Sequence, residues 1–270
     1  METHAVSKVS IGEGLKVEKM PGHWLLARLG KRVLRPGGRE ATKWLLEQTA
    51  PGPSDDVVEF APGLGITARQ LLAHRPRSYV GVERDVAAAA TASRAIAALG
   101  APAARILQGD ASRVPLDDGS ASLVVGEAML SMQQEHKKAE IVREAARLLR
   151  PGGRYAIHEL AVRSGTPMEV RERIREDLSA AIHVGVRIGT PEEWRGLLEG
   201  AGFEVRAQTT LPMRLLELDR MLADEGVFGV VRMAINAIRT RGAIARLEEM
   251  RGTFRKHADH LCAIALVAGR

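Results

Sequence analysis

Apolar positions along this chain follow two spacings, and the switches between them divide it. From Val57 onward, short apolar runs bounded by turn residues trade places with stretches in which apolar residues recur every three or four positions. The short runs predict strands over 57–61, 79–83, 105–108, 122–126 and 154–159. The longer stretches predict helices over about 67–74, 86–98 and 134–149, the last stopped by Pro151-Gly152-Gly153. Regular alternation of this kind predicts a parallel sheet covered on both faces. Thr190-Pro191-Glu192-Glu193 opens a further helix, because Thr190 and Glu193 satisfy each other's orphan backbone donors. Phe203-Glu204-Val205 begins a sixth strand, and 263–268 is the last.

Two regions stand outside the alternation. Residues 1–22 are polar and weakly patterned. A helix over about 23–35, with Leu25, Leu26, Leu29, Val33 and Leu34 on one face, is broken by Pro36-Gly37-Gly38, and a second runs to about Glu47. Residues 211–255 are helical and too long for an ordinary connection between neighbouring strands. They also carry more apolar surface than one solvated helix needs. The expected fold is therefore α/β, a Rossmann-like doubly wound sheet of about seven strands. A helical extension (1–50) precedes the sheet domain (51–210), and a helical insert (211–256) precedes the last strand (257–270). The insert is expected to act as a lid over an apolar acceptor pocket, with helices near Trp24 and Trp44 closing the other side.

Composition narrows the function. Of 270 residues, 45% are hydrophobic, enough for a substantial core. The net charge of +6 comes from basic residues interleaved with acidic ones, and Lys31-Arg32-Val33-Leu34-Arg35 alone reads as a solvated helix face. Cys262 is the single cysteine, so no internal disulfide framework exists. Neither a signal-peptide pattern nor a stretch long enough for a membrane span is present, so a cytoplasmic protein is expected. A homo-oligomer is left open.

The chemistry gathers at the turn after the first strand, Glu59-Phe60-Ala61-Pro62-Gly63-Leu64-Gly65. Glycines there let the backbone turn tightly and let a ligand lie against it. Glu83 ends the second strand, where its carboxylate can accept from both hydroxyls of a ribose. Gly63-Leu64-Gly65-Ile66-Thr67-Ala68 also matches the dinucleotide pattern, which leaves an NAD(P)-binding oxidoreductase as an alternative. Against it, Glu59 sits inside the first strand, and neither Tyr79 nor Tyr155 precedes a lysine by four positions. Asp110-Ala111 follows the third strand where an adenine edge would lie.

As a set, these features resemble the class I S-adenosylmethionine-dependent methyltransferases, more loosely their quinone-methyltransferase-like, type 11 branch acting on small molecules. The resemblance covers residues 55–160 well. It implies S-adenosylmethionine as methyl donor and S-adenosylhomocysteine as product. It implies that Glu59, Ala61, Gly63 and Gly65 shape the methionine pocket, that Glu83 holds the ribose, and that Asp110 and the Ala111 backbone hold the adenine. Gly126 and Glu127 would border the sulfonium. Ala61 departs from the family, which often has glycine there.

Methyl transfer from a sulfonium is a direct displacement that depends chiefly on alignment. Base candidates are Glu127 and His158, at the carboxyl ends of the fourth and fifth strands, then Glu159 and His183. The expected acceptor is a small apolar or aromatic metabolite, methylated at oxygen, nitrogen or carbon. Nucleic acid is not expected: Gly126-Glu127-Ala128-Met129-Leu130 replaces the Pro-Pro-aromatic motif of base methylation, and aromatic residues make up 3% of the chain. No metal is expected, His257 and His260 reading as a solvated helix end. A non-catalytic protein that only binds S-adenosylmethionine is the remaining alternative.

Overall fold

The structure, a computed structural model, describes residues 11–270 apart from Glu13. Residues 1–10 and 13 of the weakly patterned start lie outside the described residues. The centre is a seven-stranded sheet in the order β3-β2-β1-β4-β5-β7-β6. Its strands are β1 (Asp56–Phe60), β2 (Ser78–Glu83), β3 (Ala104–Gln108), β4 (Ala121–Glu127), β5 (Leu149–Val162), β6 (Glu204–Pro212) and β7 (Leu261–Gly269). β1 to β5 pair in parallel. The alternating part of the chain forms the parallel strands as expected, and at one edge β7 runs antiparallel to both β5 and β6.

Helices cover both faces. α2 (Gly38–Thr49), α3 (Ile66–Ala73) and α4 (Val86–Ala97) lie on one, where Leu45, Leu71 and Ile96 pack on Val57, Leu123, Val125 and Ala156. On the other, α5 (Glu135–Leu148) and α7 (Pro191–Glu199) bury Ile141, Val142, Trp194 and Leu198 against Val58, Phe60, Val124 and Ile157. The capping box of α7 forms as expected, Glu193 N–H donating to the Thr190 hydroxyl and Thr190 N–H to the Glu193 carboxylate.

Three elements differ from expectation. The first helix, α1 (Gly22–Leu29), stops at Gly30 instead of reaching residue 35. The Glu225 carboxylate takes the N–H groups of Arg32 and Val33, both at 2.8 Å, so these residues have no donor left for a helical bond. Between β5 and α7 lies an unexpected helix, α6 (Met168–Ile182), which buries Ile174 and Leu178 beside the end of β5. β5 also starts five residues earlier than predicted, directly after α5.

The insert forms α8 (Leu218–Arg239), bent at Gly226, and α9 (Ala243–Lys256). Both pack with α1 and the end of α6 around Leu25, Leu29, Ala181 and Met250. Buried charge ties the insert to the N-terminal segment. Asp224 accepts the Arg39 N–H at the start of α2, the favoured place for an anion at a helix end. Lys31 is fully buried with its Nζ 3.7 Å from Glu225 Oε1, and that amine has no hydrogen-bond partner among the described residues. Burial pulls the Lys31 pKa down, against the pull of Glu225 and Asp224.

Removing one member of such a group strands the other. Glu225→Ala is expected to cost about 3–5 kcal/mol in chemical denaturation. Adding Lys31→Met to it should restore part of that loss, because the stranded amine goes with it.

Candidate functional site

Side chains alternate between the two faces of a strand, and that alternation decides what the carboxyl edge of this sheet displays. In β1, Val57 packs with the α2–α4 layer and Val58 with the α5–α7 layer, so Glu59 returns to the α2–α4 side. There it is buried and accepts the Tyr79 hydroxyl at 2.6 Å. Burial, opposed by that hydrogen bond, raises its pKa to about 8. Glu127 in β4 and His158 in β5 point the same way, beneath the start of α2.

Glu127 is the polar node of the region. Its Oε1 accepts from Thr67 Oγ1 at 2.6 Å and Arg35 Nη1 at 3.0 Å, and its Oε2 from Thr42 Oγ1 at 2.7 Å. His158 Nδ1 lies 2.9 Å from the same Oε2, while its Nε2 accepts the Gly37 N–H at 3.0 Å. That pair of bonds fixes the neutral tautomer with the proton on Nδ1. Arg35 Nη1 also donates to Thr67 Oγ1. Burial alone would push the Glu127 carboxyl up; Arg35, His158 and Thr42 together bring it down to about 2.

The turn after β1 opens toward the other side of the edge. Ala61, Gly63 and Gly65 all take positive φ, at +52°, +54° and +71°. Ala61 thus holds a backbone conformation that favours glycine, which explains why glycine is common there. Beside Gly63 there is open space, its ideal Cβ meeting nothing closer than a backbone oxygen at 3.9 Å. Gly65 serves packing instead, since a Cβ there would sit 2.9 Å from the Ala95 methyl on α4. Glu83 fastens the turn, taking the Gly63 N–H on Oε2 and the Asp85 N–H on Oε1, both at 3.0 Å. Its pKa is raised by burial, which these amides only partly offset. Asp110 accepts the Ser112 N–H and hydroxyl, with Lys137 Nζ at 3.4 Å. Burial works against those contacts, and they still hold its carboxyl below the usual range.

A cavity of about 550 Å³ lies above this edge, within the ~300–1,000 Å³ usual for small-molecule sites. Of the residues expected at a cofactor, Ala61, Gly63, Glu83, Asp110, Ala111 and Glu127 line it. Glu59, Gly65, Gly126 and His158 do not. The far wall comes from the N-terminal segment, as His23, Trp24, Arg32, Leu34 and Arg35, joined by Met129, Met132, Gln133 and Val184. The insert, expected as a lid, contributes none of the lining, and its helices α8 and α9 pack against the N-terminal segment. Trp24 is part of the wall as expected, whereas Trp44 packs beside the α2–α4 core.

Arg35 is the lining residue that sequence reasoning passed over. It is 8% exposed, and its Nε and Nη2 have no partner among the described residues. Burial lowers the His23 pKa to about 4 despite Asp85 nearby, so its ring is neutral at pH 7. The other base candidates lie elsewhere. Glu159 accepts three backbone amides, of Met129, Leu130 and Ser131, and so shapes the loop after β4. His183 caps α6 against Arg246, and His257 pairs with Asp177 at 2.6 Å.

The chain is similar to several known proteins. A methyltransferase domain family matches residues 57–153. An uncharacterized protein of Haemophilus influenzae is 32% identical over 246 residues, covering 90% of this chain and 96% of its own. The uncharacterized methyltransferase YodH of Bacillus subtilis is 26% identical over 192 residues, 70% of this chain and 77% of its own. Among solved structures, the cyclase SpnF superposes with a TM-score of 0.71 at 18% identity, covering 91% of this chain and 93% of its own, a likeness of fold.

The position of Glu59 has a measurable consequence. A carboxyl raised from 4.5 to about 8 by folding contributes stability that is whole below the lower value and lost as pH rises through the upper. Glu59→Gln keeps an acceptor for Tyr79 and has no such proton to lose. Its stability relative to the native protein should therefore rise from pH 5 to about pH 8 in chemical denaturation and level off above, and a flat difference would contradict the burial assigned to Glu59.

Proposed function

Because the chain belongs to the class I S-adenosylmethionine-dependent methyltransferases, we propose that its cavity holds S-adenosylmethionine along the Gly63 turn. A small apolar or aromatic acceptor would lie against the N-terminal wall. The supporting observation is the polarity of the lining. One cavity is bordered by the carboxylates of Glu83 and Asp110, the bare Gly63 backbone and the Arg35 guanidinium.

The residues present fit that donor. Glu83 offers a buried carboxylate for ribose hydroxyls, and Asp110 with the Ala111 backbone offers an acceptor and a donor for an adenine edge. Gly63 leaves the space a Cβ would fill. Arg35 carries two buried nitrogens, Nε and Nη2, in want of an acceptor, which a methionine carboxylate would supply. When bound, the donor supplies a methyl group already activated by its sulfonium.

The protein's part is then binding, alignment and exclusion of water. Glu127 aligns the wall instead of taking a proton: four partners hold it ionised and fill both its oxygens. His158 has both nitrogens engaged and positions Glu127 and the Gly37 backbone. His23, neutral and in the wall, is the imidazole placed to accept a hydrogen bond from the acceptor. Trp24, Leu34, Met129, Met132 and Val184 give that side its apolar character.

The test is binding followed by turnover. S-adenosylhomocysteine should raise the melting temperature by mass action, and NAD should leave it unchanged. Glu83→Gln and Arg35→Met should each weaken S-adenosylhomocysteine about 10–100-fold in calorimetry, since each loses a charge-assisted contact of about 1.5–3 kcal/mol. Mass spectrometry of an apolar acceptor panel should find a gain of one methyl group. Stabilisation by NAD alone would overturn the reading, and tight cofactor binding with no methylated product from any acceptor would favour a binding protein.

A further inference from the structure

The charge and apolar exposure of α8 do not belong to the cavity. After its bend at Gly226 the helix buries only a narrow line, Gly229, Met233 and Ala237. Along that line it rests on α1: Asn236 Nδ2 donates to the Leu29 carbonyl at 3.0 Å, and Arg232 Nη2 to the Gly30 carbonyl at 3.1 Å. The opposite side faces outward with large apolar side chains. Phe228 is 92% exposed, Ile238 73% and Val227 65%, with Val231 and Ile235 completing the stripe. A contiguous exposed stripe of this size marks an interaction surface rather than ordinary surface scatter.

Charge says what kind. From Gly226 to Leu247 the sequence has four arginines and no aspartate or glutamate. Arg246 is buried against backbone carbonyls, which leaves Arg232, Arg239 and Arg241 exposed beside the stripe. α6, by contrast, mixes Glu169, Glu172, Glu176 and Asp177 with its arginines. No helix of the described residues is long and apolar enough to cross a membrane. The acids of α8, Asp219, Asp224 and Glu225, all precede the bend, and the part beyond it, with one apolar face and cationic flanks, is the kind of helix that lies in the plane of a bilayer surface.

We propose that α8 and the start of α9 dock this protein peripherally on an anionic lipid surface. Val227, Phe228, Val231, Ile235 and Ile238 enter the boundary between headgroups and acyl chains, and Arg239 and Arg241 meet lipid phosphates. A second copy of the chain fits the face less well. Two such faces brought together set arginines against arginines with Glu18, beside Gly242, as the nearby offset, whereas anionic lipid supplies both the hydrocarbon and the counter-charge. The docking does not depend on what the cavity binds. Its consequence rests on the proposed function: α8 lies directly on α1, whose His23 and Trp24 wall the acceptor side, so a docked enzyme would meet apolar acceptors drawn from lipid.

Vesicle co-sedimentation of the full chain tests this, with phosphatidylcholine alone and with phosphatidylcholine containing a third phosphatidylglycerol. The expected result is retention on the anionic vesicles only, lost at high salt. Phe228→Glu with Val231→Glu should abolish retention while leaving the melting temperature and S-adenosylhomocysteine binding unchanged, because both side chains already face outward. Arg239→Gln and Arg241→Gln should each weaken it roughly five-fold, the factor that about 1 kcal/mol per basic residue corresponds to. No retention on anionic vesicles, or equal retention of the double glutamate variant, overturns the proposal. So does a dimer in light scattering that this variant dissociates without any vesicle binding, which would give the face to a second copy. None of these outcomes alters the cofactor measurements, so failure here and failure of the methyltransferase reading are told apart.

Discussion

A buried carboxylate needs its hydrogen bonds filled, and Glu127 fills them from four different parts of the chain. Thr67 comes from the first turn of α3, Thr42 from α2, His158 from β5, and Arg35 from the irregular segment between α1 and α2. Leaving any of these unmade would strand charge on a nearly buried carboxylate, which costs far more than the bond itself contributes. One side chain at the end of β4 thereby fixes where the N-terminal segment lies on the sheet edge. The cavity exists because of that placement. Without the wall of residues 23–35, the Gly63 turn would be an open groove on the edge of an ordinary α/β sheet.

Strand parity accounts for two of the four expected residues that do not line the cavity, Glu59 and His158. Motif spacing identifies residues by distance along the chain, while a strand distributes neighbours to opposite faces. Glu59, Glu127 and His158 each stand an even number of positions from a residue that packs under α2–α4: Val57, Val125 and Ala156. Counting in twos from the apolar residues would have placed all three beneath that layer. The loop and strand-end residues escape this constraint. Accordingly Ala61, Gly63, Glu83, Asp110 and Ala111, read from the same motifs, do line the cavity. Arg35 lay hidden for a different reason. Among neighbouring basic residues its burial follows only from the partner at Glu127, ninety-two positions away, and no local pattern carries that information.

The sheet itself was legible. Each parallel strand was found within a few residues because buried strands in such sheets read as short apolar runs between turn signals. The capping box of α7 was legible too, being a local reciprocal bond. Elements set by distant contacts were not. Val33 and Leu34 continue the apolar face of α1 past Gly30, but Glu225 from the insert claims the backbone donors there. α6 was passed over because its charged residues dilute a buried face of only Ile174, Leu178 and Ala181. The orientation of β7 depends on pairing between β5 and β6, which no pattern along a single strand reveals.

The insert shows how the same demand propagates outward. Neither a segment without regular structure nor the first turn of a helix can satisfy its own amides, so residues 31–37 and the start of α2 depend on carboxylates from elsewhere. Glu127 holds the segment from the sheet side, and Asp224 and Glu225 hold it from the insert side by accepting the N–H groups of Arg32, Val33 and Arg39. Apolar packing alone would leave the segment free to slide, since Leu25, Leu29 and Leu34 are nearly interchangeable in volume. Acceptors fixed at both sides remove that freedom, because each amide has one place to point. The apolar excess of residues 211–255, which suggested a lid, is thus divided in two. Half builds the brace behind the wall, and the rest, along the outer face of α8, stays on the surface with its arginines.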